Sequence, residues 1–447
     1  DDWGSLAGLA IAYVSLGDIE TDRALYSHTL SLAPTAAPTH SNLLFCLHYD
    51  PDMTNQALLA EHRRFAAAQE EKSTWRPFSN SRKTNRPLRV GYISGDFIKH
   101  VVSLFVEEVI TGHRPEQVEV FCYSNNCKED EVTQRFKNAV PRWRRVDEKT
   151  DSEVERMIRE DEIDILVDLS GHTSRNRLPV LARKPAPIQA SWCGYFNTTG
   201  LEAMDYLIAD RMIAPPEEEP PWTEKPLYMP NSYVCFRPTP APDVNELPAG
   251  DNGYITFGCL NNPSKINRHL VTLWTAILET NPGSRLLLKH FMLGDPLTRE
   301  RVDRLFREAG LPRNRYDLLD NGGNFETLRA YNSIDIALDC HPYNGGTTTC
   351  EALWMGVPVI TLRGDRFVSR VGSSLLTYTG MSGCIAESPL DYVQRASHLA
   401  HNKDTLAHIR RNLRTHLVTT PVFDTKTFIQ GLEDAYRRAF EQWCNQH

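Results

Sequence analysis

No stretch of the chain narrows its fold as much as Ile334 to Ser374, IDIALDCHPYNGGTTTCEALWMGVPVITLRGDRFVSRVGSS. Ile334 to Leu338 is a short apolar run that predicts a buried strand, Asn344-Gly345-Gly346-Thr347-Thr348-Thr349 a tight turn, and Cys350 to Met355 the first turns of a helix. A second strand, Val357 to Leu362, follows the Gly356-Val357-Pro358 turn. Such a strand, loop, helix, strand unit belongs in a parallel α/β sheet. Two adjacent glycines let a ligand approach the backbone, threonine hydroxyls can cap the helix, and the free N–H groups at its start attract an anion such as phosphate. Glu351, just inside that helix, is placed to accept hydrogen bonds from sugar hydroxyls, as an acidic residue does for ribose in dinucleotide sites. An ordinary Gly-rich turn has the same composition, and both readings stay open for this stretch alone.

The same alternation recurs upstream. Leu88 to Ile93 predicts a strand, Ser94 to His100 a polar loop and Val102 to Ile110 a helix; further strands are predicted at Val118 to Tyr123, Ile163 to Leu169 and Ile188 to Trp192, with a helix at Ser152 to Glu160. Ile213 to Gly253, rich in proline and acidic residues, reads as a connection between domains. A second series then runs through strands Tyr254 to Cys259 and Arg285 to Lys289 and helices Arg268 to Glu279 and Leu297 to Ala309. Two parallel-sheet domains are expected, 88–235 and 252–447, each with its ligand loops at the carboxyl ends of the strands and a cleft between them. Phe428, Leu432, Ala435, Tyr436 and Phe440 stand at helical spacing, so the second domain is expected to close with a helix from Thr427 to Trp443.

Ahead of a polar linker at Glu71 to Pro87, residues 1–70 read as all-α. Residues 5–34 pair two helical patterns around Gly17 with spacing near that of a tetratricopeptide unit, and Thr39 to Gln69 supplies further helices. One unit cannot bury its own face, so more repeats are expected before Asp1, where the chain begins without methionine. The region reads either as a partner- or substrate-binding solenoid or as a scaffold or dimer contact.

Composition narrows the partners. A formal charge of -8 argues against a general nucleic-acid binder, so an acidic ligand needs a local basic pocket. Ten cysteines without a C-x-x-C pair read as reduced, mostly buried thiols, which points to a cytoplasm. The apolar runs are too short to span a bilayer, so no membrane partner is expected. No HExxH, paired Cys/His set or DxD beside an apolar strand appears, and neither does a Walker lysine or a G-x-S-x-G elbow, so no metal and no cofactor are expected.

Several loop residues are able to carry chemistry. His100, after Asp96 in the first loop of the first domain, is a candidate general base or phosphate ligand, though a loop histidine is often only solvated. Lys265, in GCLNNPSKINR, can neutralise a departing diphosphate with Asn261 and Asn262 beside it, or be a solvated loop lysine. His172 and Thr173, after one strand, and Tyr195, in the Gly-aromatic loop after another, are candidates for an acceptor or sugar pocket; His172 is equally readable as a packing residue.

Taken together, LRVGYISGDFIKHVVS, DILVDLSGHT, RKPAPIQASWCGYFNTTGLEAMDYLIAD, FGCLNNPSKI and DCHPYNGGTTTCEALWMGVPVITL resemble, in order, the O-GlcNAc transferase and SPINDLY family of protein glycosyltransferases. The resemblance implies a GT-B fold of two Rossmann-like domains after tetratricopeptide-like helices. It also implies metal-independent, inverting transfer of a sugar, GlcNAc from UDP-GlcNAc in the leading form, to serine or threonine of a protein or peptide reached through the helical repeats. It assigns the donor diphosphate to Lys265 and the phosphate-binding helix start to Thr347 and Thr348, and places His100 near the donor phosphates and acceptor. Asn262, Gly345 and Gly346, from the reading of the loops themselves, are expected at the same donor. Glu351 stands where the animal enzymes have a ribose-binding aspartate. The animal enzymes carry a histidine where this chain has Gly346, and a histidine and a lysine near the base where it has Thr327 and Asn324; the GGTTTCE form is closer to SPINDLY and bacterial relatives. GDP-fucose is therefore the rival donor, and a nucleotide-sugar-binding interaction protein or a small-molecule or lipid glycosyltransferase the rival functions.

Overall fold

The computed structural model describes residues 19–71, 75–320 and 322–445. Two wholly parallel sheets organise it. The first holds β1 (Leu88–Ser94), β2 (Val118–Ser124), β3 (Arg142–Arg145), β4 (Ile165–Asp168), β5 (Ile188–Ser191), β6 (Tyr206–Ala209) and β7 (Lys225–Tyr228), in the order β3-β2-β1-β4-β5-β6-β7. The second holds β8 (Thr256–Cys259), β9 (Arg285–Lys289), β10 (Tyr316–Leu319), β11 (Ile336–Leu338), β12 (Val359–Leu362) and β13 (Ile385–Ala386), in the order β10-β9-β8-β11-β12-β13. In each sheet the order reverses once, between β1 and β4 and between β8 and β11. A crevice opens outside the carboxyl ends of strands at such a reversal, because the loops on either side leave in opposite directions. The register places Val90 against Ile165 and Ala337 against Gly258, so the loops after these four strands start level with one another.

The connection expected over Ile213 to Gly253 contains β7 and the short helix Pro248–Asn252. The expected first helix of residues 5–34 lies outside the described residues. Helices Ile19–Leu32, Ala37–Leu47 and Asn55–Gln69 are present, and they do not stand apart as a separate stalk. Leu44, Phe65 and Ala66 share one buried cluster with Ile93, Tyr123 and Leu166 of the first sheet.

The closing helix, observed at Thr425–Asn445, corrects the expected domain division. It follows the second domain in sequence but packs on the first: Phe428, Leu432, Tyr436 and Phe440 join Leu88, Val90 and Ile110 in one core. Polar ties fix the same register, with Glu433 accepting from the backbone N–H and side chain of Arg114 at 2.9 and 2.7 Å and lying 3.1 Å from His113. Leu432 is fully buried there, so Leu432→Ala should cost about 3 kcal/mol. Urea melts that follow first-domain tryptophans check this, and an unchanged midpoint would argue that the helix is dispensable to that core.

Candidate active site

A cavity of about 600 Å³ lies where the two crevices face each other, and all four switch-point loops reach it: Asp96 and His100 after β1, His172 and Thr173 after β4, Asn261, Asn262 and Lys265 after β8, and Gly346, Thr347 and Thr348 after β11. Loops far apart in sequence meet because each leaves a strand at a reversal of its sheet.

The second-domain half is tightly built. Helix Thr347–Trp354 begins three residues earlier than its composition suggested, with Gly346 before it. Its first hydroxyls bond backward and sideways: Thr349 Oγ1 donates to Gly345 O at 2.9 Å and Thr348 Oγ1 to Asn261 Oδ1 at 3.0 Å. No side chain caps the helix start, so its first N–H groups remain for an anion. A Cβ at Gly345 would sit 2.3 Å from Thr348 Oγ1 and 3.0 Å from Asn261 Oδ1, so glycine is required for this approach. Gly345→Ala should therefore weaken binding of a diphosphate-bearing anion at this helix start by roughly tenfold, the loss of one good polar contact. Calorimetric titration checks this, and undiminished affinity would show that the loop yields without cost.

Lys265 is half-buried and donates to Asn261 Oδ1 at 3.1 Å and Asn344 O at 2.9 Å, with its Nζ 4.4 Å from the centre of the Tyr343 ring. Burial pulls its pKa below the ordinary lysine value, against the opposing pull of Cys340, Asp339 and Cys259. An ammonium short of compensating charge favours an incoming anion. Asp339, which accepts from the N–H of Gly345 and Cys340 and from Thr361, is raised to about 6 by burial. It braces the loop from behind. Among the described residues no group of three His, Cys, Asp or Glu side chains is placed to hold a metal ion.

The other expected residues divide. His100 is exposed at the cavity wall, its Nδ1 accepting from Val102 N–H at 3.3 Å and lying 3.6 Å from Asp96. Thr173 and Asn262 line the cavity; Thr173 donates to Ser170 O, and Asn262 caps the backbone N–H of Ser264 at 2.9 Å. Gly345 and Glu351 lie behind the lining. Glu351 is 7% exposed, and burial raises its carboxyl to about 7.

His172 reaches the lining, but both ring nitrogens are engaged, with Ser41 Oγ at 3.0 Å and Thr199 O at 2.9 Å. Tyr195, expected in the acceptor or sugar pocket, is instead buried beside it. The tyrosine hydroxyl lies 2.8 Å from His48 Nε2 and 2.9 Å from His62 Nε2, so it pins the helices of residues 37–69 to the first domain.

Those helices also complete the cavity through Tyr26, Asn42, Phe45 and Tyr49, and the Tyr343 ring lies tilted against Tyr49, their centres 5.4 Å apart. Neither this aromatic wall nor His290, whose pKa burial and Lys265 lower to about 4, was among the expected site residues. Isolated aromatics on a helix carry the same signal whether they fill a core or a wall.

Residues 31–236 and 245–432 match the model of glycosyl transferase family 41. The chain belongs to that family. It is 38% identical over 422 residues to a probable UDP-N-acetylglucosamine–peptide N-acetylglucosaminyltransferase SPINDLY of Hordeum vulgare, covering 92% of this chain and 44% of that protein. The protein of the same description from Arabidopsis thaliana is 36% identical over 421 residues, covering 92% and 46%. This chain thus spans less than half the length of these curated relatives. A solved structure of a Thermobaculum terrenum O-GlcNAc transferase mutant matches with TM-score 0.94 at 37% identity, covering 99% of this chain and 85% of that one. The family-41 sheets described above are those of a GT-B catalytic region. A lipopolysaccharide outer core galactosyltransferase, 12% identical with TM-score 0.50 over 79% of this chain and all of its own, shares the fold alone. No helix among the described residues is long and apolar enough to cross a membrane.

Proposed function

We propose that this family-41 chain transfers a sugar from a nucleoside-diphosphate donor, UDP-GlcNAc in the leading form, to serine or threonine hydroxyls of proteins, with inversion and without a metal. The convergence of Lys265, the helix start at Thr347 and His100 on one cavity carries this reading. In the proposed step the acceptor oxygen attacks the anomeric carbon on the face opposite the diphosphate. The bond to the diphosphate oxygen breaks and its electron pair leaves with that oxygen. The hydroxyl proton passes to His100, to water or to a phosphate oxygen. Charge grows on the leaving group as the bond breaks, and Lys265 with the helix N–H groups meets it. The tetratricopeptide-like helices, through Tyr26, Asn42, Phe45 and Tyr49, are proposed for the polypeptide acceptor, while Glu351, behind the lining, would reach a donor ribose only if the helix start moved. A cytoplasmic setting fits a chain whose ten cysteines are all free thiols.

GDP-fucose is the second reading, favoured by Gly346. A Cβ there would come 3.3 Å from Phe196 Cζ, so the histidine of the animal enzymes would need the Phe196 ring to shift by a few tenths of an ångström. Calorimetry with UDP-GlcNAc and GDP-fucose, followed by mass spectrometry of candidate acceptor proteins, separates the readings. Binding and protein modification with UDP-GlcNAc is expected. Binding without transfer would favour a nucleotide-sugar-binding interaction protein, and transfer only to small or lipid acceptors would refute the protein acceptor.

A further inference from the structure

Two cysteines that the proposed transfer does not use lie directly beneath the donor loops. Cys259 ends β8 and Cys340 follows β11, the strands on either side of the second sheet's reversal, and Ala337 opposite Gly258 sets their register. Both are buried, and their Sγ atoms are 3.6 Å apart.

Each cysteine, Cys259 through its thiol and Cys340 through its backbone, is tied to the groups that hold Lys265. Asn261 Nδ2 lies 3.6 Å from Cys259 Sγ, while Asn261 Oδ1 receives both Lys265 and Thr348. Cys340 donates its N–H to Asp339 at 2.8 Å, and its carbonyl accepts from Asn344 Nδ2 at 2.7 Å; Asn344 O is the other acceptor of Lys265.

We propose that Cys259 and Cys340 are a redox modification site, closed to a disulfide by hydrogen peroxide, and that closure loosens the donor loops around Lys265. The contact of the two sulfurs, the Asn261 bond to Cys259 Sγ and the backbone bonds of Cys340 carry the inference. A bond between them needs about 2.05 Å, so the sulfurs must move together by roughly 1.5 Å. That motion pulls Asn261 and the Cys340 backbone out of the positions that fix Lys265, Thr348 and Gly345.

The chemistry balances with peroxide as the sole oxidant. Cys259 thiolate attacks one peroxide oxygen, the O–O bond breaks, and the departing hydroxide takes a proton to leave as water. Cys340 sulfur then attacks the resulting sulfenic sulfur, and its proton leaves with the hydroxyl as a second water. The protein loses two hydrogens and the peroxide is reduced. Cys259 is the nucleophile: the hydrogen bond from Cys340 holds its thiol below the ordinary value, whereas burial holds Cys340 well above. A small pocket of about 10 Å³ touches Cys259, Asn261 and Thr348, which gives a molecule near the size of water a place beside the sulfur.

The effect on donor binding rests on the proposed function; formation of the disulfide and its effect on the loops do not. The intact chain is treated with hydrogen peroxide, then examined by peptide mapping after alkylation, by hydrogen exchange over residues 339–346, and by titration with UDP-GlcNAc and GDP-fucose. A Cys259–Cys340 linked peptide, faster exchange and donor affinity weakened about tenfold are expected, all reversed by dithiothreitol. Cys340→Ser and Cys259→Ser should each show the same exchange before and after peroxide, whatever their own stability. Separately alkylated cysteines, unchanged exchange in the linked protein, or a linked protein that binds donor as the reduced one does would each overturn the proposal. If reduced protein binds neither donor, the functional reading fails while mapping and exchange still decide the thiol pair.

Discussion

Replacing Lys265 by methionine lowers the rate of sugar transfer by about 10²–10³-fold while leaving the fold in place. Methionine keeps an unbranched chain of similar length, so the packing against Tyr343 survives. What disappears is the charge 3.1 Å from Asn261 Oδ1 and 2.9 Å from Asn344 O, where a diphosphate would be held. Most of the effect should fall on kcat, because negative charge on the leaving group is greatest in the transition state and the ground-state donor keeps the helix N–H groups of Thr347 to Thr349. A merely structural lysine would behave otherwise: its loss would lower the thermal midpoint and change donor affinity and turnover together. Single-turnover kinetics beside a melting curve distinguishes the two. Turnover near that of the unmodified chain would remove Lys265 from the chemistry.

The strands at the two reversals were readable because burial on both faces makes them continuous apolar runs, as in Tyr92-Ile93 and Ile336-Ala337-Leu338. The edge strands were not. Arg142–Arg145 is RWRR, and Lys225–Tyr228 carries Pro226, both suited to an edge where few groups are covered. The helix start at Thr347 was hidden by three β-branched threonines, which read as turn until their hydroxyls find Gly345 O and Asn261.

The apolar stripe of Thr425–Asn445 announced that the helix packs but not where; its partner, Trp192 stacked 5.8 Å from Phe428, is far upstream. The same limit explains Tyr195. A Gly-aromatic loop after a parallel strand points toward ligand, yet the hydroxyl is claimed by two histidines of helices that sequence separation gave no reason to bring there. That Lys265, His100, Thr347 and Thr348 reach one cavity was legible because each stands in a loop after a strand, a position that local pattern reveals.

Lowering the pH from 7 to 5 should release the helices of residues 37–69 from the first domain before the sheets unfold. His48, His62 and His172 are buried at that junction, and burial is the main force that drives each below the ordinary histidine value, His62 to about 4. A histidine with a lowered folded pKa holds fewer protons docked than free between that value and about 6.5. Its docked state is therefore fully stable above 6.5 and loses stability as pH falls from 6.5 toward 4.

Each histidine contributes up to about 1.4 kcal/mol per pH unit, so three together supply roughly 4 kcal/mol per unit, a large share of ordinary domain stability. Global unfolding should respond less steeply. Asp168, Asp339 and Glu351, raised by burial to about 6, 6 and 7, act in the opposite sense: their protonated forms are favoured in the fold, so they add stability as pH falls. The measurement must therefore be local. Hydrogen exchange of residues 37–69 should accelerate between pH 6.5 and 5 while β1 and β4 stay protected, and His62→Leu, which removes one of the three titrations, should flatten the dependence by about one third. Exchange that rises equally in helices and strands would place the acid-sensitive step in the sheets, and a flat profile would mean that the three rings take up protons where they lie.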